Sequence, residues 1–289
     1  MRLGQLFRSL LKGKTDVFAR YEVLREAISG TMSKFYKVRD RQTREILGLK
    51  VLDKIKTEQL EARFKGLKKP TEGEIAIRLE HPHLVKTLEY GLTNKDEQFL
   101  VMEFLEGPGL NSLIIAKTPK LDGRRLMLLR QAAEALQAVH DAGYIHRDVC
   151  PRNFVAATDL SSLKLIDFGL SVPREREYMQ AGNRTGTPAY MSPEVVRRKS
   201  TDHRLDIFSF GVTAYELLTF ELPWQGGTDG QAAMSHGSVA PTPITHHRPQ
   251  LDPTLAHAIM SCLETEPSNR PQSLHDFLAA IRDVEREEA

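Results

Sequence analysis

The chain has 289 residues, 40% apolar and 27% charged, with 40 Lys and Arg against 38 Asp and Glu. That is the balance of a soluble globular protein, longer than one compact core usually grows, and a net charge of +2 excludes a bulk electrostatic footprint for nucleic acid. The two cysteines, Cys150 and Cys262, match no metal-ligand or C-x-x-C spacing and read as thiols of a reducing cytosol. With no long apolar run and no signal-peptide core, a cytoplasmic protein is expected.

Residues 1–20 form a basic N-terminal extension. Within 1–14, Leu3, Leu6, Phe7, Leu10 and Leu11 recur at helical spacing, with Arg2, Arg8, Lys12 and Lys14 between them. Such a segment either lies on an anionic bilayer or packs on the domain that follows; packing is favoured, because isolated helices this short are marginal in water. From Tyr21 the pattern alternates like three antiparallel strands, turning near Ser29–Gly30 and Asp40–Thr43. Residues 57–80 read as helical but are interrupted at Gly66 and Pro70, so a second helix restarts near Pro70. Phe99–Glu103 reads as a buried strand, and the Gly and Pro that follow mark a hinge. Residues 125–142 have apolar side chains at i, i+3, i+4 and i+7 and end at Gly143, a C-terminal cap.

The stretch Tyr144–Gly169, YIHRDVCPRNFVAATDLSSLKLIDFG, carries the chemistry. Asp148, Asn153 and Asp167 make a set of hard oxygen donors of the kind that suits Mg²⁺ beside phosphates, and an Asp next to such a metal can take a hydroxyl proton. HRDxxxxN followed by DFG resembles the catalytic and magnesium loops of the eukaryotic-type (Hanks-type) protein Ser/Thr kinases, a standard template for this motif set.

What the resemblance implies can be carried over residue by residue. Asp148 is the expected catalytic base, Asn153 and Asp167 the expected magnesium ligands, and His146 a packing residue. Lys50, in LGLK, is expected to hold the α- and β-phosphates of ATP and to pair with Glu72, with Glu74 as the rival partner. The glycine-rich loop is degenerate: Ile28, Gly30 and Ser33 stand at its three glycine positions, so only the middle one is kept. Met102 takes the gatekeeper position, and the backbone of Glu103 and Leu105 is expected to grip adenine. Gly73, beside Glu72, implies a helix only weakly held, by about 1 kcal/mol relative to alanine.

Arg147 marks kinases whose activation segment is ordered by a docked phosphate. Thr185 is the first choice for that regulatory phosphorylation, and Thr187, in GTPAYMSPE, is expected to touch the catalytic loop. Cys150 replaces the lysine usual in Ser/Thr kinases, a role for which Arg152 is the candidate; a redox role for Cys150 is disfavoured. Asp206 is expected to brace the loop backbone, Phe208 stands in place of a tryptophan, and Arg270 is expected to pair with Glu194. His246 and His247 read as solvent-exposed, and a last helix is expected over 273–284.

The implied fold is α+β and bilobal, with a small antiparallel β lobe plus one helix (21–102), a hinge (103–108) and a larger, mainly helical lobe (109–284), the domain spanning 21–284 before an acidic tail at 285–289. The implied function is an ATP- and Mg²⁺-dependent protein Ser/Thr kinase acting on protein substrates, autophosphorylation included, with no nucleic-acid partner. The alternative is a pseudokinase, a nucleotide-binding or scaffold module with little or no phosphotransfer, for which Ile28, Ser33 and Cys150 speak.

Overall fold

The computed structural model describes residues 14–30, 32–64, 66–182, 184–224 and 230–288, with the side chains of all but 26–29 and 230–232. The segment 1–13, read above as a basic amphipathic helix, lies outside the described residues, as does the side chain of Ile28. The chain divides into two compact units, one running to His81 and including Val85–Glu106, the other made of Pro82–Leu84 and everything from Gly107 on. Pro82–Leu84 belongs with the second because His83 and Leu84 pair with its strand at Leu163–Leu165: the Leu165 N–H donates to the His83 carbonyl at 2.8 Å.

The first unit contains α1 (Val17–Arg20), β1 (Tyr21–Ser29), β2 (Ser33–Asp40), β3 (Ile46–Leu52), α2 (Lys54–Glu61), α3 (Glu72–Ala76), β4 (Thr87–Leu92) and β5 (Gln98–Glu103). Its sheet is antiparallel, in the order β1-β2-β3-β5-β4. The β2–β3 turn is set by Asp40, whose Oδ1 accepts the N–H groups of Gln42 and Thr43 at 2.8 and 3.2 Å, a side chain imitating a backbone turn. Strand side chains alternate between faces. Leu47, Leu49 and Val51 enter a core with Val17, Tyr21, Val38, Phe99 and Val101, which turns Gly48 and Lys50 to the other face.

The described end of the N-terminal extension is packed on this unit. Asp16 caps α1 by accepting the Ala19 N–H, Thr15 N–H donates to the Leu92 carbonyl at 2.9 Å, and Arg20 bridges Glu89 and Asp40. Val17, 1% exposed, fixes it to the core.

The second unit contains α4 (Leu110–Ile115), α5 (Arg125–Asp141), β6 (Tyr144–Ile145), β7 (Phe154–Ala156), β8 (Leu163–Leu165), β9 (Val172–Pro173), α6 (Pro193–Val196), α7 (Arg204–Thr219), α8 (Gly230–Ser235), α9 (Ile244–His247), α10 (Pro253–Cys262) and α11 (Leu274–Ala280). β6 pairs with β9 and β7 with β8 as short antiparallel ribbons. α7 is apolar around most of its circumference and is buried along nearly its whole length, the signature of a central helix. Among the described residues no helix is long and apolar enough to cross a membrane.

One expectation from sequence changes here. The last helix stops at Ala280 rather than at Val284, because the Arg130 guanidinium takes the carbonyls of Ile281 and Val284 at 2.8 and 2.6 Å, holding that segment in turns. One carboxylate of the acidic tail is buried. Glu287 is 7% exposed, and its carboxylate accepts the Arg125 backbone N–H at 2.8 Å and the Arg125 guanidinium at 3.3 Å.

Candidate active site

In the first unit, Lys50 Nζ lies 2.6 Å from Glu72 Oε1, with the two side chains 8% and 5% exposed. Neither glutamate position was decided by spacing alone; α3 decides it. Thr71 is the N-cap, and Glu74 closes a capping box by accepting the Thr71 N–H at 2.8 Å, so its carboxylate works on its own helix end. Gly73 also has a packing reason: a Cβ built there would lie 2.5 Å from Tyr90 Cβ, so only glycine lets α3 approach β4 this closely. The helix expected to be weakly held is therefore short but capped, close-packed and tied to β3 through Glu72.

Of the degenerate glycine-rich loop, the Gly30 N–H donates to the Ser33 carbonyl at 2.9 Å, closing the turn between β1 and β2. Met102 is buried on β5. The Glu103 N–H is engaged by the Lys86 carbonyl at 3.0 Å, and Leu105 is half-buried.

In the second unit, the turn from β6 to β7 gathers Asp148, Arg152 and Asn153 around Thr187. Asp148 Oδ1 accepts the Thr187 N–H at 2.9 Å and its hydroxyl at 2.6 Å. Asp148 Oδ2 accepts from Arg152 at 3.2 Å and from Asn153 Nδ2 at 3.1 Å, and that same amide nitrogen donates to the Asp148 carbonyl at 2.7 Å. Gly186 permits this arrangement: its φ is +121°, and a Cβ there would meet the Arg147 carbonyl oxygen at 2.8 Å.

The loop is braced from α7. Asp206, wholly buried, accepts the backbone N–H groups of His146 and Arg147 at 2.7 and 2.8 Å and the His140 imidazole at 2.9 Å. Burial opposes its ionisation, yet the His140 hydrogen bond and the neighbouring imidazoles prevail and hold the carboxyl below its usual range. His146 is fully buried, accepts the Asp148 N–H on Nδ1 at 3.3 Å and packs edge-on to Phe168. Asp167 is exposed, with a left-handed φ of 65° stabilised by the Gly169 N–H donating to its Oδ1 at 3.0 Å. Arg147 likewise has φ 70° and a buried side chain, and Thr185 is half-buried.

Burial, and then the Asp148 charge, push the Cys150 thiol up to about 11, so it is protonated and neutral at physiological pH, unsuited to nucleophilic or redox chemistry. Arg152 brings a positive charge to this loop, its guanidinium 2.6 Å from Thr187 Oγ1. Arg270 forks onto Glu194 with two 2.8 Å bonds and lies over the Phe208 ring. His246 and His247 are exposed, and among the described residues no three His, Cys, Asp or Glu cluster as a metal site. Sequence reasoning missed His140, whose only signal was a histidine on the buried face of α5, and the contact of Phe35 with Gly48, which strand register alone brings about.

A β-sheet unit with a buried Lys–Glu pair and a helical unit presenting an aspartate loop under a threonine platform define the protein-kinase class. The model of the protein kinase domain family matches residues 21–280, and the chain belongs to that family. It is 31% identical over 287 residues to the serine/threonine-protein kinase pkn3 of Myxococcus xanthus, covering 95% of this chain and 51% of that protein. It is 35% identical over 276 residues to pkn2 of the same organism, covering 91% and 32%. To the serine/threonine-protein kinase PknB of Mycobacterium tuberculosis it is 30% identical over 275 residues, covering 91% and 42%. The chain thus spans about half the length, or less, of these curated relatives.

The family uses ATP and a divalent cation, and the donor chemistry here fits the cation. Asn153 directs its amide nitrogen at Asp148, leaving its carbonyl oxygen as a hard donor, and Asp167 offers an exposed carboxylate.

Proposed function

We propose that this chain is a protein serine/threonine kinase, moving the γ-phosphoryl group of ATP to Ser or Thr hydroxyls of protein substrates. The observation that carries the reading is the Asp148 carboxylate, aimed at the Thr187 platform and held on both oxygens by donors from Thr187, Arg152 and Asn153. A carboxylate fixed in this way is pre-oriented, which is what positioning an acceptor hydroxyl requires. In this reading Asp148 takes the hydroxyl proton as the hydroxyl oxygen bonds to the γ-phosphorus and the β–γ bridging oxygen departs with ADP.

Asn153 and Asp167 would hold Mg²⁺, which screens the phosphate charge. Lys50, oriented by Glu72, would hold the α- and β-phosphates, with the backbone around Gly30 and Ser33 alongside and the hinge backbone at Glu103 and Leu105 serving the base. Arg152 faces the reaction where Cys150 has no charge to offer. Thr185 is the proposed regulatory phosphorylation position, answered by Arg147, and autophosphorylation is its proposed source. Two buried, unpaired thiols support a reducing, cytoplasmic setting.

The test is transfer of labelled phosphate from Mg-ATP to the protein itself and to a generic basic protein. Asp148→Asn keeps the size and loses the base, and is expected to lower transfer by about 10³-fold. Equal labelling by wild type and variant rejects the role of Asp148. A wild type that binds Mg-ATP without transfer places the chain among binding modules instead.

A further inference from the structure

We propose that His236 is a positioning residue for the protein acceptor: its imidazole holds the Met191 carbonyl and, through the turn before it, fixes the Thr187 that Asp148 grips. The proposal rests on the kinase reading above and adds to it a residue from a distant part of the second unit.

The platform is one tight turn with two ends. Thr187 is the N-cap of the turn Pro188–Tyr190; the Tyr190 N–H donates to the Thr187 carbonyl at 3.0 Å and the Met191 N–H to the Pro188 carbonyl at 3.1 Å. At the first end Asp148 holds the Thr187 N–H and hydroxyl. Between the ends the Ser209 hydroxyl donates to the Tyr190 carbonyl at 2.7 Å. At the far end His236 Nδ1 lies 2.7 Å from the Met191 carbonyl oxygen. A carbonyl only accepts, so the imidazole carries a proton on Nδ1 and donates it. Burial pulls the pKa of this ring below its usual range, against the raising effect of the Met191 carbonyl, and the ring is neutral at physiological pH. The next residue supplies no second anchor: the Ser192 hydroxyl is buried, has no hydrogen-bond partner among the described residues and does not cap α6.

The ring is itself held in place. His236 is 2% exposed, with its centroid 4.3 Å from that of Trp224 and 5.8 Å from that of Phe208, and those two rings stack on each other at 5.7 Å. The backbone after it is tied twice more. The Arg197 guanidinium donates to the Gly237 carbonyl, and Trp224 Nε1 donates to the Val239 carbonyl at 2.9 Å. A Cβ at Gly237 would run into the Arg197 guanidinium. Residues 236–239 thus form a clasp that joins the platform to α6 and to Trp224. A phenyl ring would fill the aromatic stack with no buried polar atoms to satisfy. What the imidazole adds is direction, one N–H aimed at the end of the platform. A misplacement of about 1 Å at reacting groups costs on the order of 10²-fold in rate, and a turn closed by its own hydrogen bonds passes a shift at Met191 on to Thr187.

The experiment measures steady-state transfer from Mg-ATP to the generic basic protein, with KM for each substrate, and urea midpoints to confirm that each variant folds. His236→Phe keeps a ring and loses the donor; kcat/KM for the protein acceptor is expected to fall about 10- to 100-fold, while KM for Mg-ATP stays within about twofold of wild type. His236→Asn loses the ring but places an amide nitrogen near the position of Nδ1, and is expected to recover most of the acceptor kcat/KM. A merely structural role predicts the reverse order, with Asn worse than Phe, and a lower kcat at unchanged KM for both substrates. Gly237→Ala meets only the far end of the flexible Arg197 side chain and loosens the same clasp. The same split between the two substrates is expected of it, and it decides the test if His236→Phe does not fold. Unchanged acceptor kcat/KM in the deciding variant, or Asn falling below Phe, overturns the proposal and leaves the kinase reading standing. A wild type that transfers no phosphate takes down the kinase reading and this proposal with it.

Discussion

Arg152 carries the only side-chain cation seen to touch both Asp148 and Thr187 among the described residues. Cys150, two positions before it, is buried and protonated, so the positive charge at the Asp148–Thr187 contact is this guanidinium. Arg152 is 56% exposed; its ion pair with Asp148 is therefore screened and worth at most about 1 kcal/mol to stability. Its effect should fall on catalysis instead. Arg152→Ala is expected to lower kcat about 10²-fold, the scale of losing one electrostatic donor, while moving the urea midpoint hardly at all. Adding Cys150→Lys to that variant should recover part of the rate by returning a cation to the same platform; a kcat for Arg152→Ala within about twofold of wild type would show that another group serves. At this scale the sequence was informative because Asp148, Asn153 and Asp167 fall within one short stretch, whose motif spacing carries the resemblance that proposes their roles. That Arg152 reaches Thr187 was not legible, since Thr187 lies 35 positions further on and returns to the loop only through the left-handed turn at Gly186.

Helix α5 shows the same limit for elements. Its period of apolar residues and its stop at Gly143, φ +82°, are local properties, and its 17 residues were legible as a helix. Its start was not. Arg124, the N-cap, offers no side-chain acceptor, and the missing acceptor is Glu287, 162 positions from Arg125, whose N–H it takes. One Glu287 oxygen takes the Arg125 N–H and the other the Arg125 guanidinium, while Arg248 approaches the same carboxylate at 3.4 Å. The tail thus caps α5 with a buried charge that also answers the helix dipole. Glu287→Ala should cost about 2–4 kcal/mol, because it removes a cap and leaves the buried Arg125 charge to Asp122 alone, 2.8 Å away but 66% exposed. Its neighbour Glu288 pairs with Arg248 at 61% exposure, and Glu288→Ala should stay within about 0.5 kcal/mol of wild type. Urea unfolding of the two variants side by side measures the difference, and equal midpoints would refute the cap.

For the whole molecule, the α+β class and the two units were implied by the resemblance, and the change from alternating strands to long helical spacing after the hinge agreed with it. The strand order β1-β2-β3-β5-β4 and the membership of Pro82–Leu84 in the second unit could not, because both depend on pairings between distant segments that leave no periodic trace. The Glu194–Arg270 pair lies between these cases: its residues were named by resemblance, but the reason one must be arginine is visible only in three dimensions. Every N–H of the Arg270 guanidinium is used, Nε on the Glu264 carbonyl at 2.8 Å, one terminal nitrogen on Glu194 and Arg204 O at 2.8 and 3.0 Å, the other on Glu194 and Thr265 O at 2.8 and 3.0 Å. The plane of that fork also lies 5.0 Å over Phe208. A lysine keeps the charge but has three donors on one atom and cannot span a carboxylate and three carbonyls. Arg270→Lys is therefore expected to destabilise the protein by about 3 kcal/mol, close to the about 3–5 kcal/mol expected when either partner is truncated to alanine. The double alanine variant should cost less than the sum of the two, since it leaves no lone buried charge. Urea midpoints for the four variants measure these differences, and Arg270→Lys unfolding within about 1 kcal/mol of wild type would mean that charge, and not the fork, is what this site requires.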